Sequence, residues 1–300
     1  MIDLHCHILP GIDDGAADLS TASAMARAMV ADGVTVVACT PHILPGLYHN
    51  TGPLIRAAIA RLQRTLDFAG IELRLVGGAD VHIAPDVVAG LRAGRLLSLA
   101  ESRYVLIEPP HHVAPPRMES LFSGMLDAGY VPVLTHPERL QWIKSHYELI
   151  GNLAALGVWM QITSGSLSGE FGTQAKYWAE KLLDDGLVHI LATDSHDMGR
   201  RSPNLSRGRD LAAERVGEER AVHLVLTRPR GVIEDVSPAD LPAPARNVAN
   251  SRGNNAGAVS NAKVRQASAW PGDGADRHNG AGGRWLSRRL RGVFDNGNDR

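Results

Sequence analysis

Short apolar runs alternate with longer stretches of helical spacing over the first 240 residues of this 300-residue chain. The runs are rich in Val and Ile and are flanked by Gly or Pro, which is typical of buried parallel strands. They cover residues 2–5, 34–40, 73–79, 104–107, 131–135, 158–163 and 188–193. Strand–helix units repeated in this way indicate an α/β fold.

Between the runs, four stretches carry apolar residues at helical spacing and end at a glycine, which is a helix C-cap signal. They cover residues 19–32, 54–69, 118–128 and 174–185. About seven consecutive units favour a barrel over an open doubly wound sheet, and no glycine-rich phosphate loop follows a strand. We therefore predict a distorted (β/α)7 TIM-like barrel over residues 1–240.

The composition changes after this region. From residue 243 onward there are ten Lys or Arg and four Asp or Glu, a net charge of +6, which leaves −7 on the rest of the chain. Residues 243–283 lack apolar periodicity, so we predict a disordered basic tail over 241–300. Residues 284–294 could form a short amphipathic helix that docks on a partner or an anionic membrane surface. A solvated tail with a few stray apolar residues is the alternative.

The overall charge and termini exclude several classes of protein. A net charge of −1 does not suggest a nucleic-acid binder. The first residues have neither a basic nor an apolar signal-peptide region, and no apolar run is long enough for a transmembrane helix. The two cysteines, Cys6 and Cys39, suggest no disulfide framework. A cytoplasmic location is the expectation.

Almost every predicted strand ends in a potential metal ligand. In order, these are His5 and His7, His42, Asp80, Glu108, His136, and finally Asp194 with His196. In barrel enzymes the site is built at the C-terminal ends of the strands, so these side chains should converge. A lone His or Asp at a strand end is more often structural, but so many at one end would be a rare coincidence. The i, i+2 spacing of His5 and His7 puts both imidazoles on one strand face.

This set of imidazoles and carboxylates suits Mn²⁺, Fe²⁺ or Zn²⁺ rather than Mg²⁺ alone. Such ions lower the pKa of bound water to about 7 and clamp phosphoryl oxygens. Arg139, Arg200 and Arg201 lie close to these ligands in the sequence, and Arg suits a bidentate grip on phosphate.

A thiol mechanism is disfavoured. Neither cysteine has an arginine at the spacing that thiol phosphatases use, because the sixth residue after Cys6 is Ile12 and the sixth after Cys39 is Pro45. We expect Cys6 to point into the barrel wall, since it alternates with His5 and His7.

Several motifs resemble one known family. They are the opening Met-Ile-Asp-Leu-His-Cys-His-Ile-Leu-Pro-Gly-Ile-Asp-Asp-Gly-Ala, then Thr-Pro-His at 40–42, Thr-His-Pro-Glu-Arg at 135–139, Gln-Ile-Thr-Ser-Gly-Ser-Leu at 161–167 and Ala-Thr-Asp-Ser-His at 192–196. Together they are similar to the polymerase-and-histidinol-phosphatase (PHP) superfamily. Within it, they resemble the manganese-dependent tyrosine-protein phosphatases of bacterial capsule and exopolysaccharide operons, over residues 1–235.

The resemblance implies a PHP barrel that holds two or three metal ions, with Mn²⁺ the expected metal. By this resemblance, the first ion would bind His5, His7, Asp80 and Asp194, the second Asp80, Glu108 and His136, and the third Asp14, His42 and His196. Arg139 and Arg201 would bind the phosphate. The bridging residue is usually Glu in the family, whereas here it is the shorter Asp80. His82, two residues further on, could contribute or be structural.

We therefore predict a metal-dependent protein-tyrosine phosphatase that uses a metal-bound hydroxide. The implied substrate is a phosphotyrosine protein, especially a cognate bacterial tyrosine kinase that controls polysaccharide export. One alternative is a small-molecule phosphomonoesterase of the histidinol-phosphatase type. Another is a weakly catalytic regulator that binds a kinase or membrane through its basic tail.

Overall fold

Parallel strands form the wall of a barrel in the computed structural model, which describes residues 1–246. The strands are β1 (Ile2–Cys6), β2 (Val36–Cys39), β3 (His42–Ile43), β4 (Arg74–Gly77), β5 (Asp80–His82), β6 (Tyr104–Glu108), β7 (Val131–Thr135), β8 (Trp159–Thr163) and β9 (Ile190–Ala192). They pair in the orders β1-β2-β4 and β3-β5-β6-β7-β8-β9. Because β2 continues into β3 and β4 into β5, the wall has seven positions. The predicted distorted (β/α)7 barrel is confirmed.

The second and third predicted strands stop one or two residues short of their predicted ends, and the wall then resumes in two short strands, β3 and β5, that the sequence analysis did not predict. The first break falls at Thr40-Pro41, where proline has no backbone N–H to give to a ladder. The backbone N–H of Asp80 instead donates to the carbonyl of Pro41 at 3.1 Å. The second break includes Gly78, where an added Cβ would lie 2.9 Å from Cγ2 of Thr40. Both breaks stand immediately before a predicted metal ligand.

The barrel closes between its first and last strands. The N–H of Asp194 donates to the carbonyl of His5 at 2.8 Å, and the N–H of His7 donates to the carbonyl of Ser195 at 2.9 Å. Below this seam, the buried carboxylate of Asp3 accepts hydrogen bonds from the backbone N–H and the hydroxyl of Thr193. These contacts fix β1 and the segment after β9 side by side.

Helices surround the barrel. They are α1 (Leu19–Ala31), α2 (Gly52–Phe68), α3 (Val87–Arg92), α4 (Met118–Asp127), α5 (Tyr147–Leu156), α6 (Ser164–Ser168), α7 (Gly172–Asp184), α8 (Leu205–Val216), α9 (Glu218–Val222) and α10 (Arg228–Ile233), with a π-helical turn at His223–Thr227. The four predicted helices correspond to α1, α2, α4 and α7, with ends within two residues of those predicted. The sequence analysis predicted none of the other six, of which α5 and α8 are the longest. In α8 the buried residues are only Leu205, Gly208 and Ala212, so its apolar signal is weak.

Alternate residues of several strands pack into different apolar clusters. On β6, Tyr104 and Leu106 join the cluster that includes Leu4, Val133 and Trp159, whereas Val105 and Ile107 join the larger cluster under the helices. This is the two-residue period of a strand that is buried on both faces. The two clusters leave the C-terminal ends of the strands to polar residues.

The first residues beyond the predicted barrel domain contact it. Nε of Arg228 donates to the carbonyl of Pro242 at 2.6 Å, and Leu241 packs against the cluster around Val232. The remainder of the predicted tail, including the predicted helix at 284–294, lies outside the described residues. Over residues 1–246, no helix is long and apolar enough to cross a membrane.

Candidate metal centre

Nine predicted ligands meet at the C-terminal mouth of the barrel. They are His5, His7, Asp14, His42, Asp80, Glu108, His136, Asp194 and His196, and each belongs to at least one group whose potential ligand atoms lie within 4.8 Å of one another. His5 is the penultimate residue of β1, His42 and Asp80 begin β3 and β5, and Glu108 ends β6. The other members stand in the loops that follow β1, β7 and β9.

Two of the predicted ligands occupy an unusual backbone conformation. His136 has a φ of 32° and Asp194 a φ of 51°, in the left-handed region that non-glycine residues rarely adopt. His136 stands directly after β7 and Asp194 shortly after β9, where the chain leaves the barrel wall. Strain of this kind costs on the order of 1–3 kcal/mol and clusters at functional sites. Here it accompanies the entry of both side chains into the centre.

The first group surrounds one carboxylate oxygen. Oδ1 of Asp194 lies 3.3 Å from Nε2 of both His5 and His7. Oδ2 of Asp80 lies 3.5 Å from Nε2 of His5. Two atoms bound to one ion at roughly 2.1 Å stand about 3–3.5 Å apart, so these separations suit ligands of a shared ion.

The other predicted groups lie on either side of His42. Nε2 of His42 and Nε2 of His196 lie 3.5 and 3.4 Å from Oδ1 of Asp14. Nδ1 of His42 lies 3.4 Å from carboxylate oxygens of both Asp80 and Glu108. Nε2 of His136 approaches the other oxygen of Glu108 at 3.6 Å. His42 therefore lies between Asp14, in the loop after β1, and Glu108, at the end of β6.

Several buried atoms of this cluster have no hydrogen-bond partner within the described part of the chain. They are both carboxylate oxygens of Asp80, Nδ1 of His42, Nδ1 of His136 and Nε2 of His196. Leaving a buried polar group unpaired costs roughly 1–3 kcal/mol, and native proteins contain few of them. A concentration of unpaired donors and acceptors in one cluster fits residues that bind cations.

Burial and neighbouring carboxylates move the pKa values of the histidines in opposite directions. Burial alone would lower the pKa of His7, but Asp13 and Asp194 outweigh it and raise the pKa to about 10. Burial lowers the pKa of His196 to about 4 and lowers that of His136 well below its usual range. The last two imidazoles are neutral at pH 7, which is the form that binds metals.

Two predicted phosphate-binding arginines share one oxygen. Nη1 of Arg139 and Nη2 of Arg201 both donate to Oδ2 of Asp194, the latter at 2.5 Å. The Arg139 guanidinium lies over the ring of Phe171, with 4.2 Å between Cζ and the ring centroid. Arg200, the neighbouring candidate, is exposed. Arg139 and Arg201 thus bring two cationic groups to the edge of the cluster.

The structure adds residues that the sequence analysis had not singled out. Oε1 of Gln161 lies 2.8 Å from Nδ1 of His5, and Oδ2 of Asp13 lies 2.8 Å from Nδ1 of His7. Oε1 of Glu138 accepts hydrogen bonds from the backbone N–H of Thr163 and the hydroxyl of Ser166. The quoted motifs contained all of these residues, so the signal was present without an assigned role.

Two further histidines differ in placement. His111 lies in one group with Glu108 and His136, although the sequence analysis did not select it. His82, which was considered, is partly buried and belongs to none of the groups found among residues 1–246.

Both cysteines are buried and free. Burial raises the pKa of Cys6 and of Cys39 well above the usual value. The structure therefore keeps both thiols protonated and inside the wall, consistent with the expected orientation of Cys6 and the disfavoured thiol mechanism.

Residues 1–234 match the model of the family described as capsular polysaccharide synthesis, CpsB/CapC. The chain belongs to the CpsB/CapC family. Tyrosine-protein phosphatase YwqE of Bacillus subtilis is 40% identical over 202 residues, which cover 67% of this chain and 80% of YwqE. Tyrosine-protein phosphatase CpsB of Streptococcus pneumoniae is 27% identical over 240 residues, which cover 78% of this chain and 99% of CpsB.

A solved structure supports membership in the CpsB/CapC family. A chain from the crystal structures of YwqE from Bacillus subtilis and CpsB from Streptococcus pneumoniae, described as metal-dependent tyrosine phosphatases, superposes with a TM-score of 0.76. The two chains are 34% identical, and the match covers 82% of this chain and 100% of the other. The predicted resemblance to phosphatases of capsule operons is confirmed at the level of the family.

Proposed function

We propose that this CpsB/CapC-family protein is a metal-dependent phosphatase that hydrolyses phosphotyrosine in proteins. The observation that carries the proposal is the convergence of the nine predicted imidazole and carboxylate ligands beside two arginines that share Asp194. The names of the relatives supply the substrate class, since both YwqE and CpsB are tyrosine-protein phosphatases.

We assign the ligands to three ions. The first set is His5, His7, Asp80 and Asp194, the second is Asp80, Glu108 and His136, and the third is Asp14, His42 and His196. Mn²⁺ is the proposed metal, and Fe²⁺ and Zn²⁺ suit the same donors. When bound, such ions supply Lewis acidity toward water and toward phosphoryl oxygens.

The arginines have a separate role. Asp194 holds Arg139 and Arg201 through a single oxygen, Oδ2, and one nitrogen of each guanidinium, so the remaining N–H groups are free to turn toward a phosphate at the mouth of the barrel. A planar guanidinium can bind two phosphate oxygens at once, and two of them would fix the orientation of the phosphoryl group. Phe171 restricts the position of Arg139 by lying under its guanidinium.

The family description, which concerns capsular polysaccharide synthesis, supports a narrower proposal for the physiological substrate. We propose that it is the phosphorylated tail of a bacterial tyrosine kinase that regulates capsule or exopolysaccharide synthesis, encountered in the cytoplasm. The relatives favour this substrate over histidinol phosphate, because they are tyrosine-protein phosphatases.

The test uses the full chain. Chelation should abolish hydrolysis of a phosphotyrosyl peptide, and added Mn²⁺ should restore it. His136→Ala should prevent restoration, whereas His112→Ala, a change of an exposed histidine in a neighbouring loop, should not. Activity that survives both chelation and His136→Ala would refute the proposal. Faster turnover of histidinol phosphate than of the peptide would favour the small-molecule alternative. Negligible turnover by the full chain, with kinase or membrane binding that is lost on deleting residues 247–300, would favour the regulatory one.

A further inference from the structure

We propose that His111 is an additional ligand of the second ion, completing the set formed by Glu108 and His136. This inference rests on the proposed metal centre and concerns a residue that the resemblance leaves without a role. The potential ligand atoms of Glu108, His111 and His136 lie within 4.8 Å of one another.

Two imidazoles converge on the same oxygen. Nε2 of His111 lies 3.3 Å from Oε1 of Glu108, and Nε2 of His136 lies 3.6 Å from that same atom. The two rings are 5.0 Å apart between centroids and inclined at 60°. The 3.3 Å separation falls within the range expected for two atoms on one ion with bonds of roughly 2.1 Å, and the 3.6 Å separation is slightly longer.

Hydrogen bonding does not account for the position of His136. Its Nδ1 is buried without a hydrogen-bond partner in the described range, and its Nε2 is too far from Glu108 for a hydrogen bond. The side chain is only 2% exposed, so water does not readily satisfy it. A buried imidazole in this condition, next to a carboxylate and a second imidazole, has the surroundings of a metal ligand.

The backbone fixes His111 at this place. Its carbonyl accepts the N–H of Gln141 at 2.9 Å, and the preceding carbonyl, that of Pro110, accepts Nε1–H of buried Trp142 at 2.9 Å. The loop after β6 is therefore attached at two successive residues to the loop that carries Arg139. Preorganisation of this kind favours metal binding by His111, because the loop loses little conformational entropy when the ion binds.

The second ion also needs a further donor. Asp80, its proposed bridging ligand, is directed at His5 and His42, with separations of 3.5 and 3.4 Å. Asp80 also has a shorter side chain than the Glu that the resemblance would lead one to expect. An imidazole from His111 supplies a donor on the Glu108 side, and its softer nitrogen favours Fe²⁺, Co²⁺ or Zn²⁺ over Mg²⁺.

The test measures metal binding without substrate. Co²⁺ and Mn²⁺ are titrated into three metal-free proteins: wild type, His111→Ala and His112→Ala. Binding is measured by the heat released and by the visible spectrum of Co²⁺. His112 is the matched control, since it is the next residue and is exposed. We expect one class of site to weaken by roughly tenfold or more in His111→Ala, with a changed Co²⁺ spectrum, and to be unaffected in His112→Ala.

Each outcome decides the assignment. Equal affinities in wild type and His111→Ala would overturn it, as would equal weakening in both variants, because that would indicate a general effect on the loop. Unchanged metal affinity, together with an increased KM in a separate phosphopeptide assay, would overturn it by making His111 a substrate contact instead. His111→Asn provides a second variant if His111→Ala fails to fold. The titration contains no phosphopeptide, so it remains decisive even if the proposed phosphotyrosine activity fails.

Discussion

Oδ2 of Asp13 lies 2.8 Å from Nδ1 of His7, on the far side of the imidazole from the metal centre. The same carboxylate accepts the backbone N–H of His42 at 3.1 Å and, through Oδ1, that of Gly15 at 2.9 Å. Asp13 thus orients two proposed ligands at once. A carboxylate behind a ligating histidine fixes the ring and increases its basicity.

Replacing this carboxylate should weaken the centre without unfolding the barrel. We expect Asp13→Asn to decrease metal affinity by roughly 10- to 100-fold, because the amide cannot hold His7 and both backbone groups in the same way. Isothermal titration with Mn²⁺ measures the change. Asp18→Asn is the control, since it removes a charge from an exposed helix cap. Equal affinity in Asp13→Asn and wild type would contradict the proposed role.

The arginine pair should act on substrate binding rather than on the metals. In Arg139→Lys, we expect KM for a phosphotyrosyl peptide to rise about tenfold or more, because an ammonium cannot bind two oxygens in one plane. Phe171→Leu should have a smaller effect, since the partly buried cation–π contact that it removes contributes about 1 kcal/mol. Steady-state kinetics and metal titration separate the two effects. Unchanged KM in Arg139→Lys would count against phosphate binding there.

Gly15 should tolerate no side chain. An added Cβ would lie 2.1 Å from the carbonyl oxygen of His7 and 2.5 Å from its Cβ. We expect Gly15→Ala to decrease the free energy of unfolding by roughly 1–3 kcal/mol and to weaken metal binding. The matched control is Gly124→Ala in α4, where no other described residue approaches the new Cβ within 4 Å.

Gly124→Ala should increase the free energy of unfolding by about 0.5–1 kcal/mol, because alanine loses less backbone entropy than glycine in a helix. Urea denaturation of the metal-free proteins measures both changes. If Gly15→Ala proved as stable as wild type, the close packing of the Asp13–Gly15 loop on His7 would have to be rejected.

His189 should make the protein sensitive to acid. Burial, together with the charge of Arg228, lowers the pKa of His189 to about 3, whereas the unfolded chain has a value of about 6.5. Between these values the unfolded state binds more protons, so the stabilising contribution is complete above pH 6.5 and is lost as the pH falls toward 3. By linkage the loss at pH 5 is up to about 2 kcal/mol.

The measurement compares wild type with His189→Gln by urea denaturation at pH 7 and pH 5. Glutamine does not titrate, and it retains an acceptor for the Met160 N–H that Nδ1 of His189 binds at 3.1 Å. We expect the variant to lose less stability than wild type over this interval. Parallel losses in the two proteins would show that His189 does not control the acid sensitivity.

The sequence predicted the ring of strands and most of the proposed ligands for one physical reason. Parallel strands bring their C-terminal ends to the same mouth, so a polar residue at each strand end is placed by topology alone. Neither Pro41 nor Gly78 was recognised as a break in the wall. Both breaks depend on how neighbouring strands meet, and a single apolar run does not contain that information.

Adjacent identical residues set a second limit. Asp13 and Asp14 are neighbours of the same type, yet one lies behind His7 and the other faces His42 and His196. His111 and His112 differ in the same way, since one is within the cluster and the other is exposed. The turn of each loop decides which residue points inward. Sequence spacing cannot resolve a difference of one residue in a loop.

The seam between His5 and Asp194 has a consequence for how the chain folds. Its two sides are 189 positions apart in the sequence, and the proposed first ion takes ligands from both. During synthesis, the proposed first site cannot be completed until nearly the whole barrel has emerged from the ribosome. The proposed ion would then connect the two sides of the last seam to form. Loss of the ion should therefore open the barrel first at this seam and expose it to proteases.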